Sequence, residues 1–291
     1  MFQHCLICTD FSDGLHRLAD FVPDLASSGA KRIVFLHTVS AWQGDRAIKV
    51  DEGKIAAAKE RLSGALKSIP SGIEAKVEVL CGRPTEKILQ TIEKYQIDVV
   101  FVGTSIHSLL EEKFFGSTSL ELAKSARVPL AVIRPQLITT YTREELSLRC
   151  QHLWRYLLIP YNDSEAARYS IEQIKTHVQK HPEIAPKQCM LLWVVDDGGR
   201  REVLTQSRLK AAKEKLEVVK AQLEALDLEV NTEVRQGNPL HEILEAALYF
   251  DITAIAIATD PKPNLLSWAA PSCANEILRR SWFPVLYFSP S

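Results

Sequence analysis

The sequence predicts a doubly wound α/β fold built twice in tandem, each copy a parallel sheet of five strands with helices on both faces. Three observations carry that expectation: the chain repeats itself at a fixed interval, short apolar runs alternate with helix-length segments, and 291 residues with 46% hydrophobic and 24% charged residues suit two packed domains. The repeat is direct. GRPTEKIL from Gly82 and GNPLHEIL from Gly237 lie 155 residues apart and share four of eight positions. The same interval carries Pro129 onto Pro284, and Gly103 at the end of VVFVGTS onto Ala258 at the end of AIAIATD. Nearer the two starts the interval is 152, relating TDFSDG (Thr9 to Gly14) to YNDSEA (Tyr161 to Ala166), so one short insertion separates the copies.

In chain order, HCLICT, RIVFLHTV, KVEVL, VVFVGT and LAVIRP are Val-, Ile- and Leu-rich runs without polar alternation, the pattern of strands buried on both faces. In KIAAAKERLSGALKSI the apolar residues Ile55, Ala58, Leu62, Leu66 and Ile69 recur at helical steps and predict one helix. The second half repeats the series with RYLLIP, CMLLWVV, EVNTEV, TAIAIAT and PVLYF as strands, and with a helix whose face is Leu209, Ala212, Leu216, Val219, Leu223 and Leu226. Strand and helix in strict alternation imply parallel sheets with right-handed crossovers. The first domain is placed at residues 1–136 and the second at 153–291, joined by a polar linker over 137–152 whose Glu/Leu-rich part can form a short helix. The last strands of the two halves, LAVIRP and PVLYFSP, are edge candidates that could pair between halves or between chains.

Several function classes are disfavoured at once. Lys plus Arg at 35 nearly cancels Asp plus Glu at 36, so no overall field draws the chain to nucleic acid or an anionic membrane. No apolar run approaches a spanning helix and the N-terminal MFQHCLICTD lacks a signal pattern, which leads to the expectation of a cytoplasmic protein. Six cysteines are too sparse for a disulfide scaffold, and the C-x-x-C pair Cys5 and Cys8 falls within a strand, where residues three apart face opposite ways. The histidines show no ligand pattern beyond His177 and His181 near a helix end, so no metal site is expected. P-loop, dinucleotide and serine-hydrolase signatures are absent from the sequence. Five tryptophans spread through both halves read as core and interface, and DDGGRR after Val195 reads as an exposed turn.

Ligands of open α/β sheets bind beyond the carboxyl ends of the strands, where the strand order reverses. Gly103 stands at such an end, and Gly116 with Ser117, Thr118 and Ser119 opens the following helix, offering N–H groups and hydroxyls to an anion or simply capping the helix.

The set formed by TDFS after the first strand, G-x-P before a helix, and a glycine after the fourth strand followed at a distance by G-S resembles the universal stress protein family over nearly the whole chain, as two tandem copies. The resemblance implies a Rossmann-like, adenine nucleotide alpha-hydrolase-like fold and a site for ATP or ADP in the first domain. It assigns Thr9, Asp10 and Phe11 to the first-strand motif with Asp10 near the ribose, Val39 to the adenine, and Gly103, Thr104, Gly116, Ser117, Thr118 and Ser119 to the phosphates. The family's second glycine is replaced here by Ile106, and Glu111 and Glu112 nearby add no attraction for an anion. In the second domain Gly103, Ile106 and Gly116 correspond to Ala258, Pro261 and Pro271, Asp10 to Asn162, and only Ser117 is matched, by Ser272. That half is expected to be a degenerate copy serving as structural partner in an intramolecular pseudo-dimer. The function expected is stress-linked regulation through adenine nucleotide, by a protein in which no catalytic residue is assigned and which works through a protein partner. A nucleotide-free interaction scaffold and a slow ATP hydrolase are the alternatives.

Overall fold

The computed structural model describes residues 1–40, 42–44, 47–49, 51–103, 117–196, 202–259 and 273–289. Two compact units emerge, one of Phe2–Gln151 and one of His152–Pro290.

The first unit runs β1 (His4–Cys8), a 3-10 turn (Leu15–Phe21), α1 (Val22–Ser27), β2 (Arg32–Val39), β3 (Trp42–Gly44), β4 (Ala47–Lys49), α2 (Glu52–Arg61), β5 (Glu74–Cys81), α3 (Pro84–Tyr95), β6 (Val99–Gly103), α4 (Ser117–Ser125), β7 (Leu130–Ile133), α5 (Pro135–Thr140) and α6 (Arg143–Gln151). Its sheet has the order β5-β2-β1-β6-β7 with every pair parallel. The second unit runs β8 (Tyr156–Pro160), α7 (Glu165–Lys180), β9 (Gln188–Val195), α8 (Glu202–Glu224), β10 (Glu229–Gln236), α9 (Pro239–Tyr249), β11 (Ala254–Ala258), α10 (Cys273–Arg280) and β12 (Val285–Phe288). Its order, β10-β9-β8-β11-β12, is the same topology and is parallel throughout. All ten expected strands are present, and the sheets are buried on both faces as their unbroken apolar runs require: Leu6, Ile7, Val34, Phe35, Val99 and Val100 in one, Leu157, Leu158, Leu191 and Ile255 in the other, are without exposure.

Three features depart from the sequence reading. The expected helix through Ile69 stops at Arg61 and tightens into a 3-10 turn at Ser63–Leu66. Gly64 lies in that turn: glycine weakens a helix interior, and a Cβ there would stand 2.1 Å from Asp20 Oδ1, so a larger residue does not fit without a shift. Ala58 and Leu62 are buried as expected, while Leu66 and Ile69 fall off the intended face and are 51% and 40% exposed. The helix of the second half keeps its face, with Ala212, Leu216, Val219 and Leu223 buried, although Leu226 lies beyond its end. An antiparallel hairpin, β3 with β4, follows β2 where no strands were anticipated.

The expected linker carries α5 and α6, and both pack on the first unit. Ser147 Oγ and Gln151 Nε2 each donate to Asp24 Oδ1 at 2.7 Å, anchoring α6 on α1, and Arg17 donates to the carbonyls of Ile138 and Tyr141. Cys5, Cys150 and Cys189 are buried and free; burial pushes the thiols of Cys150 and Cys189 up to about 12 and that of Cys5 far above its usual range.

Candidate functional site

In the first unit β1 lies between β2 and β6, so the strand order reverses at its carboxyl end, where ligands of open α/β sheets bind. The chain leaving β1 turns sharply. Thr9 N–H still donates to the Leu36 carbonyl at 3.0 Å, and Phe11 then takes φ 69°, a left-handed conformation that costs a non-glycine residue about 1 kcal/mol or more. Side chains of the turn hold it in place. Thr9 Oγ1 accepts from Phe11 N–H at 3.0 Å and donates to Asp13 Oδ1 at 2.7 Å, while Asp13 Oδ1 also accepts from Leu15 N–H at 2.9 Å. The His37 ring nitrogen Nδ1 lies 2.8 Å from the Thr9 carbonyl.

Asp13 is 6% exposed, and burial pushes its carboxyl up to about 6; the nearby Asp10 carboxylate adds to the rise, while the Thr9 hydroxyl and the Leu15 and Asp10 N–H groups oppose it. Beside it stands Gly103. A Cβ on Gly103 would lie 2.4 Å from Asp13 Cβ, closer than any two such carbons approach, so the absent side chain has a local reason. Asp10 points the other way. It is exposed, its Oδ1 accepts from the Ser12 N–H at 2.8 Å and from the Ser12 hydroxyl at 2.7 Å, and its Oδ2 takes no bond among the described residues.

Phe11 reaches across to the end of β2. It packs on the cluster of Val39, Ala58 and Val79, with the His37 ring 4.3 Å away and the Arg61 guanidinium 4.4 Å over its face. The Val39 carbonyl accepts from Gly82 N–H at 3.0 Å, which ties β2 to the start of α3, where Gly82 takes φ 136°. At that start Thr85 Oγ1 and Arg83 Nη2 donate to the Glu121 carboxylate at 2.5 and 2.9 Å, fastening α3 to α4.

The expected residues therefore fall into three groups. Thr9, Asp10, Phe11, Val39 and Gly103 gather at the carboxyl ends of β1, β2 and β6. Ser117, Thr118 and Ser119 form the first turn of α4, with Ser119 buried. Thr104 and Gly116, together with Ile106, Glu111 and Glu112, lie outside the described residues, as does most of DDGGRR. Asp13 was not singled out from the sequence although it stands in the quoted TDFSDG. Its signal is the conjunction of a threonine four residues before it and a glycine closing the adjacent strand. His37 and the Arg83–Thr85–Glu121 link carry no local sequence signal.

The second unit keeps the backbone of this site and changes its side chains. Tyr161 N–H donates to the Leu192 carbonyl at 2.8 Å, Asp163 takes φ 61°, and Gly237 N–H donates to the Val195 carbonyl at 3.0 Å with φ 145°. Asp163 is gripped by Arg168 Nε at 2.8 Å and Lys215 Nζ at 2.5 Å, and these hydrogen bonds hold its carboxyl far below the usual range. A cavity of about 340 Å³ lies at the carboxyl ends of β8 and β11, next to the start of α10. No group of three His, Cys, Asp or Glu residues able to hold a metal occurs among the described residues. His177 Nδ1 is 2.8 Å from the Gln173 carbonyl, inside its own helix.

Fold and turn geometry together define a tandem pair of Rossmann-like α/β domains, each with its side-chain-bearing turns at the carboxyl edge of a reversed parallel sheet. The chain belongs to the universal stress protein family, which matches residues 1–134 and 157–288. Solved structures repeat the tandem arrangement. A universal stress protein from Archaeoglobus fulgidus is 18% identical over 99% of this chain and 98% of that one, with a TM-score of 0.65. A putative universal stress protein from Pseudomonas aeruginosa is 13% identical over 99% and 93%, with a TM-score of 0.61. At these identities the likeness is one of fold. No curated protein matches the chain. Among the described residues no helix is long and apolar enough to cross a membrane.

Proposed function

We propose that the protein is a stress-response regulator that binds adenine nucleotide, ATP or ADP, in its first half, and that it acts in the cytoplasm through a protein partner rather than as a catalyst. The observation that carries this reading is the gathering of the Thr9–Asp13 turn, Val39 and Gly103 at the reversed edge of the first sheet, in a chain of this family. Asp10, exposed and with one oxygen free of bonds among the described residues, is suited to accept from a ribose hydroxyl. The apolar surface around Val39 suits a base, and the first-turn N–H groups of α4 at Ser117–Ser119 suit phosphate oxygens. The second half enters as a companion module without a nucleotide site of its own.

A second reading, a nucleotide-free scaffold, is favoured by Asp13 and Phe11. Asp13 fills the space beside Gly103 with an acid, and Phe11 already covers part of the Val39 cluster. Mass spectrometry of small molecules released on denaturing freshly purified protein separates the two. Stoichiometric ATP or ADP, with calorimetric binding that weakens in Asp10→Ala and strengthens in Ile106→Gly, is the expected result. An empty protein that takes up no ATP at millimolar concentration sinks the first reading and leaves the scaffold.

A further inference from the structure

The cavity in the second half lies at the carboxyl ends of β8 and β11 and the start of α10, and the described residues around it are largely small or apolar. Among the described residues that line it there is no Lys, Arg, His, Asp or Glu. Leu192, Val194, Ile243 and Ile257 provide apolar walls, and the small side chains of Ala167 and Ala258 leave the volume open. At about 340 Å³ it is within the range of small-molecule pockets, which begin at roughly 300 Å³.

Several polar groups around it are engaged. Asn162 Oδ1 accepts from Ser164 N–H at 3.2 Å, Ser164 Oγ accepts from Ala167 N–H at 3.2 Å, and Thr259 Oγ1 shares a hydrogen bond of 2.8 Å with the Tyr287 hydroxyl. The buried hydroxyl of Ser170 is not. Ser170 lies on α7, is 1% exposed, lines the cavity, and its hydroxyl has no hydrogen-bond partner among the described residues. A helical serine ordinarily satisfies itself on the carbonyl four residues back, and buried hydroxyls are almost always paired. A hydroxyl left single at the wall of an apolar cavity is a vacant point of attachment.

We propose that this cavity is a binding site for an uncharged, predominantly apolar molecule of one or two rings bearing a single hydroxyl or carbonyl group, which hydrogen-bonds to Ser170 Oγ. The second half is then a sensor domain of different ligand chemistry from the first, the apolar walls among its described residues favouring an uncharged guest.

The test uses the full chain and 2-naphthol, a neutral fluorescent bicycle with one hydroxyl. Saturable binding is expected, and Ser170→Ala should weaken it roughly tenfold, the worth of one hydrogen bond, while leaving the melting temperature unchanged or raised because an unpaired hydroxyl has been removed. Ala258→Leu, which fills the cavity, should abolish binding. ATP should not displace the probe. The proposal is overturned by an absence of saturable binding, by equal affinity in Ser170→Ala and the parent protein, or by displacement of 2-naphthol by ATP.

Discussion

Phe11 in the first half and Asp163 in the second both stand at positive φ, 69° and 61°, after turns whose first N–H donates to the neighbouring strand at 3.0 and 2.8 Å. The backbone is repeated while the surroundings are exchanged. In the first half the acid of the turn, Asp13, is folded inward against Gly103 and Phe11 covers an apolar cluster. In the second, Glu165 at the matching position is exposed at the start of α7, Ala258 replaces Gly103, and Asp163 faces outward into Arg168 and Lys215. Beside Gly103 the first copy holds a buried carboxylic acid, while Ala258, at the matching position of the second, lines a cavity. Gene-level duplication thus preserved the hydrogen bonds that shape the turn and left the side chains beneath it to diverge, one glycine deciding whether an acid can fit.

The largest effect that follows is at that glycine. Gly103→Ala should cost on the order of 3 kcal/mol in urea unfolding, because its methyl would collide with Asp13 Cβ, whereas Ala258→Gly in the second half should cost about 1 kcal/mol. Equal effects at the two positions would break the comparison.

Asp13 supplies the next. Its folded value near 6 lies above its ordinary value of 3.8, so the folded state holds the proton more tightly than the unfolded one. The stability it contributes is fully present below about pH 4 and is lost as pH rises through 6, a change of about 2 to 3 kcal/mol. Asp13→Asn should flatten that slope in denaturant midpoints measured from pH 4 to 7.

Where the two halves share backbone they should share cost. Gly82 and Gly237 stand at φ 136° and 145°, and replacing either by alanine should lower stability by about 1 to 2 kcal/mol, by a similar amount in each half. The smallest effect belongs to the exposed ion pair. Lys215→Ala should cost under about 1 kcal/mol, less at high salt. Because the bonded Asp163 titrates below its ordinary value, its contribution is present above that value and fades as pH falls into the acid range, the opposite sign to Asp13.

Much of this fold was legible because strands buried on both faces are unbroken apolar runs, and CMLLWVV or VVFVG admits no other placement in a parallel sheet. The end of α2 was not, since the periodicity through Leu66 and Ile69 is intact and gives no sign of the break near Gly64, whose close neighbour Asp20 is distant in sequence. The candidate site was legible where it is written in one loop, as in Thr9 to Phe11, and illegible where it depends on pairs such as Asp13 with Gly103 or Arg83 with Glu121. The cavity of the second half was hidden for a related reason: it is made of what several small residues on separate elements omit, and Ala258, Ala167 and Ser170 carry no local pattern.

The buried thiols give each half its own clock. Cys150 belongs to the first compact unit and Cys189 to the second, and with thiol values near 12 neither offers appreciable thiolate while folded. Alkylation of either therefore waits for its unit to open, and peptide mapping of a labelling time course reports two opening rates from one unmodified chain. A ligand that belongs to one half would slow that half's cysteine and leave the other on its original schedule.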